Sequence, residues 1–294
     1  MKYGLYVPNC GAFGDPHNVI QLAVDAEETG WDGLFLWDHI AAAFVGGAAG
    51  SGVGRELIDP WVALAAAATA TQRIRLGTAV TPVPRRRPHK LARETASLDR
   101  LSGGRVVLGV GTGEGAREYD QLGEESDHRA RGDMLDEALE VITQLWSGTE
   151  VDHIGPHYRV ENARFLPTPV QQPRIPIWVG GVWPNRRPMR RAARWDGVIP
   201  LLSEYQGQDL DLLMHCIDFI REHRAGEEPF EVVYPGISPG DQPDDAAAEV
   251  AAYRDAGVTW WLEAIAPYRF EPDIDQPWDF ERLRERVLQG PPVA

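Results

Sequence analysis

The sequence predicts an α/β chain folded as a (β/α)8 TIM barrel, and three observations predict it. Short strand-like runs alternate with helical patterns almost from end to end. Those runs are continuously apolar rather than alternating, as strands buried on both faces are. No Gly-x-Gly-x-x-Gly follows the first strand, where Pro8-Asn9-Cys10-Gly11 stands instead, so a doubly wound open sheet is disfavoured.

The elements follow in order. Tyr3 to Val7 reads as the first strand, and His17 to Thr29 as a helix with Val19, Leu22, Ala23 and Ala26 at helical spacing, stopped by Gly30. Gly33 to Trp37 is the second strand. Asp59-Pro60 forms an N-cap and first-turn pair for the alanine-rich helix through Ala70. Ile74 to Val80 is the third strand, Pro88 opens a helix ending at Gly103-Gly104, and Arg105 to Val110 is the fourth strand. Asp133 to Trp146 is the clearest amphipathic helix. Val151 to Pro169 is irregular, with a Gly155-Pro156 turn that suggests a small hairpin; it marks an insertion at about 149–172 in a single domain spanning 1–294. Strands then recur at Ile175–Val179, Gly197–Leu201, Glu231–Tyr234 and Trp260–Ala264. Helices recur near Asn185–Arg194, Leu210–Arg224, Asp245–Ala256 and Trp278–Leu288. One junction repeats: Thr29-Gly30-Trp31-Asp32-Gly33, Ala256-Gly257-Val258-Thr259 and Arg194-Trp195-Asp196-Gly197 each break a helix and turn straight into a strand.

A length of 294 residues fits one large barrel or two ordinary domains, and 43% hydrophobic with 25% charged residues is normal for a well-cored protein. The net charge of -15 argues against general binding to nucleic acid or an anionic membrane. Cys10 and Cys216 form no disulfide framework and no CxxC; with no apolar h-region at the N-terminus, a cytoplasmic protein is expected. The histidines show no HExxH or paired ligand spacing, so no metal site is expected.

If the barrel is right, chemistry belongs at the strand C-termini, where loops carry function. Trp37-Asp38-His39 closes the second strand, and a carboxylate beside His39 orients its ring for acid/base work. A surface hairpin end would hold the same pair. Gly109 to Gly115 after the fourth strand lets a flat ring or phosphate approach the main chain; an ordinary glycine-rich turn reads the same. Glu114 within it is an acid/base candidate or a helix-start carboxylate. Gly180-Gly181-Val182-Trp183 after the fifth strand leads into a basic helix, an anion site or a solvated face. Pro84-Arg85-Arg86-Arg87-Pro88 carries the same two readings. The stretch Ala41 to Arg55 is a lid or a passive excursion.

Several motifs resemble, in this order, the bacterial luciferase-like flavin-dependent oxidoreductases: Ala26-Glu27-Glu28-Thr29-Gly30-Trp31-Asp32, Trp37-Asp38-His39, Ile74-Arg75-Leu76-Gly77-Thr78, Leu98 to Arg105, Leu108-Gly109-Val110-Gly111, Leu145-Trp146-Ser147-Gly148 and Pro176 to Gly181. The resemblance covers nearly the whole chain and implies a barrel binding reduced FMN or the deazaflavin coenzyme F420 at the strand C-termini. It implies that the ring lies over a bulged third strand, often with a non-proline cis peptide, mapping here to Thr78, Ala79 and Val80. It further implies that Gly111-Thr112-Gly113 and Gly180-Gly181 hold the ring edge and phosphate tail, with Asp38 and His39 among the cofactor and substrate contacts; Trp183, read as lying on a loop at the mouth, is expected to wall the pocket. Thr112-Gly113-Glu114 resembles the deazaflavin sugar-phosphate dehydrogenase branch, but Gly115-Ala116-Arg117 departs from it. Its sugar-phosphate lysines have no match, since only Lys2 and Lys90 exist.

The reading is therefore a flavin monooxygenase using reduced FMN and oxygen on a small organic substrate, with an F420-dependent reductase or dehydrogenase as the alternative. A non-redox barrel hydrolase or binding protein is the reading outside that class. His39 and Glu114 are the expected proton-transfer groups. A homodimer and a separate flavin reductase are the expected partners.

Overall fold

The computed structural model describes residues 1–41, 56–113, 116–202, 209–226, 228–270 and 277–292. The predicted lid at 41–55, apart from its first residue, lies outside the described residues, and so does Glu114. In chain order the strands are β1 (Lys2–Val7), β2 (Gly33–Leu36), β3 (Arg75–Thr78), β4 (Thr81–Pro82), β5 (Val106–Gly111), β6 (Glu150–Ile154), β7 (Arg159–Arg164), β8 (Ile177–Trp183), β9 (Gly197–Leu202), β10 (Glu231–Gly236) and β11 (Trp260–Ala264). The helices are α1 (Pro16–Glu28), α2 (Pro60–Ala70), α3 (Pro88–Ser102), α4 (Ala116–Asp120), α5 (His128–Trp146), α6 (Arg186–Ala192), α7 (Leu210–His223), α8 (Pro243–Asp255) and α9 (Phe280–Leu288).

Acidic caps set most helix starts. Asp15 with Pro16, and Asp59 with Pro60, each place a carboxylate on first-turn amides ahead of a proline that needs no amide partner. Asp127 accepts from Arg129 N and Ala130 N, which starts α5 five residues earlier than the predicted Asp133. The strands run β3-β2-β1-β11-β10-β9-β8-β5-β4, all pairs are parallel, and a β3–β5 pairing closes the barrel. β3 and β4 together occupy one barrel position, because the third strand breaks between Thr78 and Thr81.

The interior is aromatic. Phe35, Trp178 and Trp260 meet at centroid separations of 5.0, 5.6 and 5.3 Å and pack with Ala79, Val107, Ile199, Val233 and Leu262. Glycines make room for them: a Cβ on Gly33 would lie 2.5 Å from the Phe35 ring, and one on Gly197 2.6 Å from the Trp178 ring. The alternate residues of the same strands, such as Leu34, Leu36, Leu108 and Val179, face the helices in the larger core. Trp178 is thus a core filler, as are its two partners.

The repeated helix-to-strand junction acts as a clip. Asp32 Oδ2 accepts the amide of Tyr3 at 2.8 Å, Asp196 Oδ2 accepts that of Ile177 at 2.7 Å, and Thr259 Oγ1 accepts that of Val232 at 2.9 Å. In each case the residue entering one strand holds the first amides of its neighbour. The insertion forms the antiparallel hairpin β6–β7, pinned where Glu137 of α5 accepts from His157 N and Tyr158 N at 2.9 Å each.

A substitution at Gly109 probes the closest backbone approach in the barrel, since an added Cβ would fall 1.8 Å from Thr78 O. Gly109→Ala is expected to lose about 3 kcal/mol or more in urea denaturation. Gly226→Ala, where a Cβ meets nothing within 4 Å, is expected to stay within about 0.5 kcal/mol.

Candidate active site

The strand break makes the floor of the site. The Ala79–Val80 peptide is cis, in agreement with the bulged third strand that the resemblance implied. Ala79 N still donates to Leu36 O at 2.8 Å, and beyond the break Thr81 pairs with Val110 and Pro82 with Gly111. Val80 is left half-buried, its isopropyl group between two bare stretches of main chain. A Cβ on Gly111 would lie 2.7 Å from Val80 Cγ2, and one on Gly180 2.9 Å from Val80 Cγ1. Thr78, Ala79, Val80, Gly111 and Gly180 therefore converge. Thr78 Oγ1 donates to Gly109 O at 3.0 Å, tying the break to β5.

The loop after β5 is shaped from outside. Thr112 O accepts from Tyr119 Oη at 2.8 Å and from Arg131 Nη1 at 3.1 Å, while Gly113 takes a φ of 77° that favours glycine. Gly181 and Trp183 depart from the expectation. Alternation along β8 puts Gly180 and Val182 on one side and Gly181 and Trp183 on the other. A Cβ on Gly181 would meet Pro188 Cβ at 2.4 Å, and the Trp183 ring lies 5.5 Å from Phe219 of α7. Both are turned toward the helical layer. The mouth instead presents Val182 and, in register with it on β9, Leu201, each 38% exposed.

Asp38 also differs from the cofactor contact expected of it. The carboxylate is buried, and both oxygens are engaged: Arg86 Nη2 donates to Oδ1 and Oδ2 at 2.6 and 2.7 Å, and Thr81 Oγ1 donates to Oδ2 at 2.8 Å. Burial pushes its pKa up, opposed by Arg86 and the Thr81 hydroxyl. Burial pulls Arg86 down, but the facing Asp38 more than offsets it, so the guanidinium holds its proton more tightly than usual. Trp61 Nε1 completes the cluster by donating to Thr81 at 3.2 Å. Asp38 joins the end of β2 to β4, and His39 follows it directly in the chain.

His39 is clamped by its own main chain. Asn9 Nδ2 donates to His39 O and Ile58 O at 2.8 Å each, and Asn9 Oδ1 accepts His39 N at 3.2 Å. The ring meets Trp37 edge-on at 5.8 Å, and Nδ1 lies 3.7 Å from Glu118 Oε2. Glu118 Oε1 accepts Ile40 N at 2.9 Å and Ala41 N at 3.0 Å, and Oε2 is 3.2 Å from Arg85 Nη1. Burial would raise this carboxyl, but the His39 ring, the two amides and Arg85 together draw it down to about 2. Arg85 is fixed in turn by Glu124 at 3.1 Å and by the Tyr119 ring at 4.3 Å.

Sequence reasoning missed Glu118, whose only signal is a carboxylate in a short helix just past the glycine run. It also left Arg85 and Arg86 between anion binding and surface exposure, whereas each faces a buried carboxylate. Among the described residues, no group of three metal-ligating side chains is assembled.

Residues 1–286 match the family described as luciferase-like monooxygenase. The chain belongs to that family. An F420-dependent glucose-6-phosphate dehydrogenase of Microbacterium testaceum is 36% identical to this luciferase-like chain over 186 residues, 63% of this chain and 52% of the relative. An F420-dependent hydroxymycolic acid dehydrogenase of Mycobacterium tuberculosis is 39% identical over 127 residues, 43% of this chain and 35% of the relative. The chain thus spans about half the length of the first and about a third of the second. Among solved structures, the monooxygenase RslO1 from Streptomyces bottropensis superposes with a TM-score of 0.79 at 22% identity, covering 98% of this chain and 96% of that one. The luciferase-like fold is therefore that of a family of oxidoreductases containing both F420-dependent dehydrogenases and monooxygenases.

The depressed carboxyl of Glu118 predicts a pH effect. Its ionised form stabilises the fold at neutral pH, and that contribution is lost as pH falls from about 4.5 through about 2. The stability difference between the wild type and Glu118→Gln is expected to shrink over that window by up to about 3 kcal/mol, measured by urea denaturation at stepped pH.

Proposed function

We propose that this protein is an F420-dependent oxidoreductase moving a hydride between the deazaflavin and the carbinol or carbonyl carbon of a largely apolar organic substrate. The observation that carries this reading is the close His39–Glu118 pair past the C-terminal end of β2, with the Val80 platform past the same end of the neighbouring β3. Oxidising an alcohol removes a hydride from carbon and a proton from oxygen. The hydride half belongs to the cofactor, while the proton needs a base at the hydroxyl. His39 is the group built to take it, with Glu118 facing the charge that the ring then gains; reduction of a carbonyl runs the same transfers backward.

The residues present fit a flat ring. Val80, flanked by the bare main chain at Gly111 and Gly180, offers an apolar platform over an aromatic core. Thr112 and Gly113 would border the ring. The two sequence relatives named above carry F420 in their descriptions, which supports it over FMN here.

Substrate character follows from the rim. Among the described residues, Val182, Leu201 and Ile40 are large apolar side chains exposed past the strand ends, while Arg85 and Arg86 are engaged by Glu118 and Asp38. A neutral, apolar alcohol or ketone suits that surface better than a sugar phosphate.

Oxygen insertion with reduced FMN supplied by a separate reductase is the second reading, favoured by the description of the family itself. Titration separates the two. Reduced or oxidised F420 is expected to bind more tightly than FMN, and oxidation of an apolar secondary alcohol is expected to proceed without oxygen. Oxygen consumption with reduced FMN, and no turnover with F420, would overturn this assignment. His39→Ala is expected to lower kcat by about 10²- to 10⁴-fold while F420 still binds. Leu201→Asp is expected to raise KM for apolar substrates several-fold in steady-state assays.

A further inference from the structure

We propose that Arg131 is a positioning residue for the cofactor ring, turning the Gly113 amide toward the Val80 platform and backing it with a positive charge that favours an anionic ring. This rests on the reading above only in placing a flat ring on Val80, and it holds for any substrate.

Arg131 is fully buried in the first turn of α5. Burial and the positive end of the helix both disfavour a cation there. Its acceptors are neutral: Nη1 donates to Thr112 O at 3.1 Å and Gly113 O at 3.4 Å, and Nη2 donates to His128 Nδ1 at 3.0 Å. Among the described residues no carboxylate pairs with it, whereas the equally hidden Arg85, Arg191 and Arg286 each face one. Arg105, also buried without a carboxylate, donates to Ala68 O and Thr71 O, where the end of α2 presents its negative pole. Arg131 has no such helix end opposite it; its carbonyls belong to the loop after β5.

The loop is turned by this anchoring. Tyr119 Oη also donates to Thr112 O, at 2.8 Å, and burial pushes that hydroxyl up so that it stays a donor. The Thr112–Gly113 peptide is trans, so its N–H points away from a carbonyl held by Tyr119 and Arg131. Gly113 N lies 3.9 Å from where a Cβ on Gly111 would stand, and that point is 2.7 Å from Val80 Cγ2. The amide is therefore offered on the platform side, with the guanidinium behind its carbonyl strengthening the dipole. A second cation stands near: Arg85 and Arg131 lie over the Tyr119 ring at 4.3 and 4.1 Å, one on each face. Glu118 and Glu124 take up the charge of Arg85, and that of Arg131 is left for a ligand.

The colour of bound F420 gives the first readout, because its ring hydroxyl ionises near neutral pH with a change in the visible spectrum. In the wild type the bound ring is expected to ionise about one pH unit or more below free F420. Arg131→Met removes the charge at similar length. It is expected to reverse that shift and to weaken F420 binding about tenfold, while Arg131→Lys restores most of both. Lost packing alone would affect the two variants alike and leave the ring titration where it was.

A bound ring that ionises at or above the pH of free F420 would overturn the proposal, and that measurement needs no variant to fold. Equal behaviour of Arg131→Met and Arg131→Lys would overturn it as well. If the titration shifts as expected but no alcohol is oxidised, the role of Arg131 stands and the functional reading falls. If FMN binds and F420 does not, that reading falls too, and Arg131→Met is then expected to weaken the anionic reduced FMN about tenfold and the neutral oxidised form less than about threefold. Equal losses for the two forms, or no binding of either cofactor, would sink the proposal.

Discussion

Burying two carboxylates at the mouth of a barrel requires two cations at fixed places, and this chain supplies both from adjacent positions. Arg85 turns to Glu118 and Arg86 turns to Asp38. An unpaired buried charge would cost several kcal/mol, so neither member of either pair can be lost cheaply. The pairs act together because Asp38 sits next to His39 in the chain and Glu118 sits next to it in space. One ties β2 to the resumed third strand, and the other ties the following loop to α4. His39 is the residue both arrangements surround.

The break in the third strand gives the other half of the site. Continuing β3 straight would have kept Ala79 and Val80 in the sheet ladder. Instead the chain turns at Ala79–Val80 and rejoins the ladder at Thr81, and Val80 stands above the aromatic core. Gly109, Gly111 and Gly180 admit the turn because any side chain there would overlap Thr78 or Val80. The same platform suits a flavin or a deazaflavin. On this reading the chemistry is chosen by what surrounds the platform, where an oriented proton acceptor favours hydride transfer and an apolar rim selects the substrate.

Much of the barrel was legible because local signals agreed with the global fold. Asp15-Pro16 and Asp59-Pro60 announce helix starts, and runs such as Trp260 to Ala264 carry the buried-strand pattern. The bend at Ala79–Val80 was legible because the resemblance supplied it, whereas Asp38, read as a cofactor contact, turns inward to Arg86 and Thr81. The site was not legible where partners lie far apart in sequence. Glu118 is 79 positions from His39 and sits in a five-residue helix too short to show periodicity. The direction of Trp183 was misjudged because side-chain parity along β8 depends on where the strand continues, and it runs past the predicted Val179 to Trp183. Arg85 and Arg86 look like a solvated basic run until the carboxylates they face are brought in by the fold.

The clips at Asp32, Asp196 and Thr259 lie at the end of the barrel opposite this chemistry. A slip of one residue in any strand would turn its inward side chains outward, and each clip makes such a slip cost a hydrogen bond. Alignment is thus secured where each strand begins, independently of anything at its far end. Loops at the far end are accordingly free to be lengthened, shortened or exchanged without disturbing how neighbouring strands match. A scaffold locked at its base and open at its rim can keep one cofactor platform while changing what it admits.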